Sequence, residues 1–191
     1  MARFTFKEIC ADLWPDFETL FGATGACGGC WCQSWRVLQG GKLWEDTKGE
    51  KAHQLTRSLI LTGRMTGLLA YEGDKPVGWC SYGPRVVFPR LERVKAYRRD
   101  DTEGIWSITC FFIPKEYRRK GLARQMLGAA LRFMKKRHVR IVEAYPVPPT
   151  LDGTKLPGAF MFTGPLAIFE KAGFEIVQRI SHSRPLVRLQ L

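Results

Sequence analysis

The stretch IWSITCFFIPKEYRRKGLARQMLGAALRFMKKRHVRIVEAYPV, residues 105–147, changes its hydrophobic period twice and so decides the fold. Residues 105–113 form an almost unbroken apolar run, as expected of a strand covered on both faces, and Pro114 helps end it because it has no N–H for a ladder. Beyond it, Leu122, Ala123, Met126, Leu127, Ala130, Phe133 and Met134 recur at helical spacing. A helix is therefore expected, with this stripe on the sheet and its lysines and arginines outside. Residues 139–147 supply the next strand, and a strand, helix, strand unit of this kind crosses over in the right-handed sense.

Working outward, residues 3–9 read as a first strand and WPDFETLF, 14–21, as a short helix that tolerates Pro15 in its first turn. Residues 49–60 form another helical stretch. In 67–83 two apolar runs flank Gly73, Asp74, Lys75 and Pro76, the pattern of an antiparallel hairpin. Residues 84–103 are polar and give no clear assignment. Downstream, residues 146–158 hold four prolines and two glycines and predict a loop over the site. A short helix at 164–174 closed by Gly173, then two strands, complete an α/β chain read as a single domain over 1–191.

A chain of 191 residues, 45% of them hydrophobic, can bury one substantial core. No apolar run reaches the roughly 18 residues a membrane span needs, and the opening segment lacks the apolar centre of a secretion signal. A cytoplasmic protein with reduced thiols and no membrane association is expected. Thirty basic residues against 18 acidic ones give a net charge of +12, which favours anionic partners. Within 115–140, ten lysines and arginines face only Glu116, so an anion is expected there.

In YRRKGLARQML, 117–127, a glycine joins the buried strand to the helix. The first amides of a helix have no partners inside it and can converge on an anion, and Gly121 permits a close approach. The turn is neither a P-loop nor the three-glycine dinucleotide fingerprint. An ordinary helix start with a solvated basic face fits the same residues.

Arg118-Arg119-Lys120-Gly121-Leu122-Ala123 resembles the arginine or glutamine, two variable residues, glycine, variable residue, glycine or alanine motif of the GCN5-related N-acetyltransferase (GNAT) superfamily. The likeness extends to Ile113-Pro114, to the strand at 139–145, to residues 167–174, and to the order of elements from residue 3 to 191. It implies a mixed, mostly antiparallel twisted central sheet of about six or seven strands with helices on both faces. It also implies acetyl-CoA as co-substrate, with no metal. By the same resemblance, Arg118, Arg119, Lys120, Gly121, Leu122 and Ala123 hold the pyrophosphate, and the backbone of Phe111, Phe112 and Ile113 pairs with pantetheine. Phe169 and Lys171 complete the cofactor contacts, and the amide of Phe111 or Phe112 polarises the thioester carbonyl.

The implied reaction is direct attack of a small molecule's primary amine on the thioester. Family members often place a carboxylate where this chain has Ser107, and a tyrosine where it has Phe169. Glu103 and Glu143 are then the candidate bases acting through water, and Tyr145 a candidate proton donor to the leaving thiolate. Alternatives are an inactive CoA-binding sensor, a protein-amine acetyltransferase, and a nucleic-acid binder suggested by charge and by Tyr97 and Tyr117 among arginines. No named nucleic-acid motif is present, and none is expected to bind. The last strands suit a monomer or a homodimer.

GACGGCWCQSW, 25–35, leaves three readings open. Zinc would need a fourth ligand from Cys10, Cys80, Cys110 or His53. A Cys27–Cys30 redox pair has the CxxC spacing but not the surrounding strand and helix. The third reading is an aromatic wall for the acceptor: Trp31 and Trp35, four apart, share a face if helical, and Trp44 joins them. Tryptophans that simply cover the core are the competing explanation. His53, His138 and His182 are expected at the surface.

Overall fold

In the computed structural model the described residues are 4–37, 42–148, 150–151, 154–155, 158–181 and 184–191. The strands are β1 (Phe4–Glu8), β2 (Gly67–Glu72), β3 (Lys75–Pro84), β4 (Ile105–Phe112), β5 (Ile141–Ala144), β6 (Thr150–Leu151), β7 (Thr154–Lys155), β8 (Glu175–Ser181) and β9 (Arg184–Gln190). The α-helices are α1 (Trp14–Phe21), α2 (Lys42–Thr47), α3 (Glu50–Leu61), α4 (Arg90–Arg93), α5 (Leu122–Lys136) and α6 (Leu166–Glu170). Seven strands form one sheet in the order β1-β2-β3-β4-β5-β9-β8, while β6 and β7 make a separate small hairpin. Among the described residues, only β4 and β5 pair in parallel within the seven-stranded sheet; its other pairings are antiparallel. This is the mixed, mostly antiparallel sheet that the resemblance implied.

The apolar stripe explains where α5 lies. Leu122, Met126, Leu127, Ala130 and Met134 are all buried, in one cluster with Leu68, Val77, Ile108, Val142 and Phe174. Burying each of the larger side chains contributes about 1.5–3 kcal/mol. Gly78 on β3 lets the helix come this close, because a Cβ there would lie 2.8 Å from the Met126 sulfur. The opposite face of the sheet carries α1 and α3 through a second cluster, including Phe17, Phe21, Trp31, Ile60, Leu69 and Trp79. Helices therefore cover both faces.

Several boundaries differ from the sequence reading, each for a local reason. Residues 31–36 are turns, not a helix, because Trp31 (φ 41°) and Cys32 (φ 64°) take left-handed backbone angles that break helical repetition. Trp31 and Trp35 therefore share no helix face. The unassigned stretch 84–103 folds into short turns around α4. β5 stops at Ala144, ahead of Pro146, and part of the proline-rich loop forms the β6–β7 hairpin. Among the described residues no helix is long and apolar enough to cross a membrane.

Candidate active site

The site begins where two parallel strands separate. β4 pairs with β3 from Trp106 to Phe112, with Thr109 as an extra residue where the register skips from Cys110 opposite Ser81 to Ile108 opposite Tyr82. Its pairing with β5 covers only Ile105 to Ile108. A bulge bends and twists the strand that carries it, so β4 turns away from β5 beyond this point. Among the described residues, the backbone of 109–112 has no strand partner on the β5 side. The chain beyond β5 is instead held to the 158–166 segment: the Val147 amide donates to the Gly164 carbonyl at 3.0 Å, and the Leu166 amide to the Val147 carbonyl at 2.8 Å.

Arg118 ties the following turn to the end of the strand, its Nε donating to the Ile113 carbonyl at 2.8 Å. Gly121 caps α5 with φ 77°, and a Cβ there would meet nothing within 4 Å, so open space faces the helix start. The first backbone bond into the helix is Gln125 to Gly121 at 3.2 Å. Among the described residues, the amides of 119–124 donate to no backbone carbonyl. Arg118, Arg119 and Lys120 are exposed around them, and the first turn carries no acid to compete for these donors. Unpaired amides, helix dipole and positive charge thus converge on one open place, which suits a compact polyanion.

Phe111 lies in the α5 cluster, while Phe112 meets Phe21 at 5.1 Å on the other face. Phe169 is fully buried, edge-on to Phe111 at 6.2 Å and to Phe174 at 5.2 Å. Lys171 is exposed just past α6, and Glu103 is exposed in the turn before β4. Leu122 is buried and Ala123 half-buried at the helix start.

Ser107, Glu143 and Tyr145 come together, all fully buried, on the sheet face opposite α5, and the residue that assembles them is Arg85. Its guanidinium uses all five N–H groups. Nε donates to Glu92 at 2.9 Å; Nη1 to Glu143 and to the Tyr145 hydroxyl, the latter at 2.7 Å; Nη2 to the Tyr97 and Leu91 carbonyls at 2.6 and 3.3 Å. Glu143 Oε1 also accepts from Ser107 at 3.0 Å and from Tyr145, while Oε2 accepts from Arg188 Nε and Nη2 at 3.3 Å. Arg188 reaches outward to Asp101. Burial pulls the Arg85 guanidinium down, but its acid partners Glu143 and Glu92 oppose this, and the net effect holds it above its usual range. Burial first, then the Glu143 charge, pushes the Tyr145 phenol well up, so it stays neutral. Arg85 and Arg188 were missed in the sequence; the signal was Glu143 itself, an acid in a buried strand that requires cations brought from elsewhere.

The three tryptophans separate. Trp31 is stacked on Phe21 at 5.6 Å and forms one wall of a cleft of about 440 Å³ lined also by Glu18, Thr19, Gly49, Glu50 and His53. His53 lies edge-on to Trp31 at 4.4 Å and pairs with Glu18 at 2.6 Å, more enclosed than the sequence suggested. His138 is exposed; His182 lies outside the described residues. Trp35 is buried against Tyr145 and Tyr97, each at 5.5 Å. Trp44 is half-buried on α2 and makes no ring contact with the other two.

All six cysteines are free thiols. Cys32 accepts a hydrogen bond from Trp79 Nε1 at 3.1 Å. The neighbouring Cys110 thiol, aided by Trp79 and Arg36, brings Cys32 down to about 7 despite its burial. Burial instead raises Cys30 to about 11. Among the described residues no group of three or more histidines, cysteines or acids is placed to hold a metal.

The family model described as Acetyltransferase (GNAT) family matches residues 31–152, more than half of the chain. The chain belongs to this family. Its match spans the diverging strands and the glycine turn. Among solved structures, the GNAT member is similar to the PaiA N-acetyltransferase of Thermoplasma acidophilum in complex with coenzyme A, at 11% identity over 99% of both chains and TM-score 0.56. It is also similar to YncA of Salmonella typhimurium, a putative acetyltransferase solved with acetyl-CoA, at 11% identity over 98% of this chain and 94% of that one, TM-score 0.53. A putative acetyltransferase of Acinetobacter baylyi gives 12% identity over 99% and 93%, TM-score 0.58. At these identities the likeness shows a shared fold. No curated protein matches the chain.

Proposed function

We propose that this chain transfers the acetyl group of acetyl-CoA to the primary amine of a small molecule. The observation that carries this reading is the helix start at Gly121, whose free amides and basic flank lie beside the unpaired edge of β4. The amides of 119–123, with Arg118, would hold the pyrophosphate, and the edge at Phe111, Phe112 and Ile113 would receive the amide-bearing pantetheine arm as a strand edge receives a peptide. Phe169 packs behind Phe111, and Lys171 adds exposed charge nearby. The relatives solved with coenzyme A and acetyl-CoA support the same ligand.

Acetyl-CoA supplies an activated acyl group as its thioester. The chain's part is to hold the thioester against β4, where the Phe111 or Phe112 amide donates to the carbonyl oxygen, and to admit a neutral amine beside it. Glu143 has both oxygens engaged and no solvent exposure, so it acts as the anchor that fixes Ser107, Tyr145 and Arg85. Tyr145 commits its proton to that anchor. The amine therefore loses its proton to water, and exposed Glu103 can assist from the start of β4. Acetyl-CoA turnover by thiol release, with amines supplied one at a time, tests the reading. Turnover should rise with pH while the free amine is the minor species; binding without turnover of any amine would instead support a sensor.

A further inference from the structure

Two sets of arginines occupy the sheet face opposite α5, and they are treated differently. Arg85 and Arg188 have carboxylate partners. Arg36, Arg90 and Arg184 make no ion pair with a carboxylate among the described residues, although all three are at least half-buried; Arg36 has the Cys32 thiol as its electrostatic neighbour. The Arg36 guanidinium lies over Phe88 at 4.7 Å, and its Nε and Nη2 are buried without a hydrogen-bond partner among the described residues. Arg90 lies over Trp35 at 5.2 Å; one nitrogen reaches the Ser34 carbonyl at 3.2 Å, but its Nε is buried and unpartnered. Trp35, only 3% exposed, has an equally unpartnered Nε1. Buried donors are nearly always paired, so four such atoms on three neighbouring residues mark a missing acceptor.

These groups share one place. Trp35 and Phe88 belong to one buried cluster with Leu91, Tyr145 and Leu186. Arg184, at the start of β9, lies over Phe162 at 5.4 Å and donates to Thr163 at 2.9 Å. Burial lowers its guanidinium from the usual range, and the like charge of Arg90 adds to that effect. Tyr145 directly follows β5 at the strand separation, and Trp35 stacks on it. Through Tyr145 the donors therefore adjoin the end of β5, where its pairing with β4 stops.

Resting on the acetyltransferase reading above, we propose that Trp35 Nε1 and the guanidinium groups of Arg36, Arg90 and Arg184 form an anion subsite for the carboxylate or phosphate group of the acceptor. The preferred acceptor is then an amine that also carries an acid, with its amine toward β4 and its anion among the arginines. Planar guanidinium forks suit either oxyanion, and an indole N–H adds a donor without charge.

The first test needs no acceptor and no CoA. The melting temperature is followed with inorganic phosphate and, separately, acetate, against chloride at equal ionic strength, for wild type, Arg36→Gln, Arg36→Lys, Arg90→Gln and Arg119→Gln. A saturable rise with at least one anion is expected, kept in large part in Arg119→Gln, weakened in Arg36→Lys and clearly reduced in Arg36→Gln and Arg90→Gln, with any phosphate effect that remains there assigned to the glycine turn. No saturable rise, or one lost only in Arg119→Gln, overturns the subsite. So does a melting temperature for Arg36→Gln in chloride more than about 5 °C below wild type, because an arginine with unpaired donors should not hold the fold together.

The second test compares kcat/KM for 3-aminopropanoate with propylamine and for 2-aminoethyl phosphate with ethylamine. The acidic member of at least one pair should be preferred by about tenfold or more, equivalent to one good charged contact, and Arg36→Gln should erase the preference. The pair showing it tells carboxylate from phosphate. An equal or better neutral member overturns the inference while leaving the acetyltransferase reading intact. Failure to bind acetyl-CoA would sink that reading alone, and the anion measurement would still decide the subsite.

Discussion

Replacing Glu143 by glutamine removes the negative charge on which Arg85, Arg188, Ser107 and Tyr145 converge. Both arginines then keep their positions beside a neutral amide, and one amide N–H₂ must face donors. Breaking a buried pair by removing one partner costs about 3–5 kcal/mol when the remaining charge is stranded, an upper range here because Arg85 keeps Glu92 and Arg188 keeps Asp101. At about 2–4 °C per kcal/mol for a domain of this size, the melting temperature should fall by up to roughly 6–20 °C. Urea unfolding at constant slope gives the free energy directly. The cycle with Arg85→Met sharpens the prediction: Glu143→Met with Arg85→Met should be less destabilised than the sum of the single changes. A stability loss below about 1 kcal/mol together with a hundredfold fall in turnover would refute the anchor role and restore Glu143 as a group in the chemistry.

Gly121→Val should cost about 1–2 kcal/mol through its left-handed backbone, since the added atoms meet nothing nearby, and should weaken acetyl-CoA binding by about tenfold or more; calorimetry and urea unfolding check the two parts. Cys32 ionises more readily folded than unfolded, so the unfolded chain binds more protons between about pH 7 and 9. Stability should therefore rise with pH through that window by at most about 3 kcal/mol, and be lost as pH falls through 7. Cys30, held up to about 11, works against stability above pH 9. Urea unfolding of Cys32→Ser should show a flatter profile between pH 7 and 9; an unchanged slope would contradict the assignment. Phe169→Tyr places a hydroxyl in a fully buried apolar site and should lose about 1–3 kcal/mol of stability without raising turnover.

The fold was legible because period and composition agreed. The run at 105–113 and the stripe from Leu122 to Met134 fixed a strand and a helix: the stripe lies in the α5 cluster, and the run divides between both faces, Ile108 and Phe111 in that cluster and Cys110 in the opposite one. At Gly121 the spacing showed only a turn into a helix, which an ordinary helix start also fits; its reading as a cofactor turn came from the resemblance to GNAT members. The site's opposite wall was not legible. Trp31 and Trp35 follow no period, because the left-handed angles at 31 and 32 send their side chains into different clusters. Arg85 and Arg90 lie in a polar stretch that gave no clear assignment and Arg184 opens a strand, and only the tertiary fold reveals that Arg85 is matched by acids while, among the described residues, the others are not. Local patterns record which face of an element is buried; they do not record which distant charge will meet it.

Acetyl-CoA binding to the reduced chain tests the central claim most directly. Calorimetric titration of wild type and Gly121→Val should give one site per chain with micromolar affinity for the first and at least about tenfold weaker binding for the second. Absence of binding, or equal affinity in the two proteins, would contradict the glycine turn as the place where the cofactor is held.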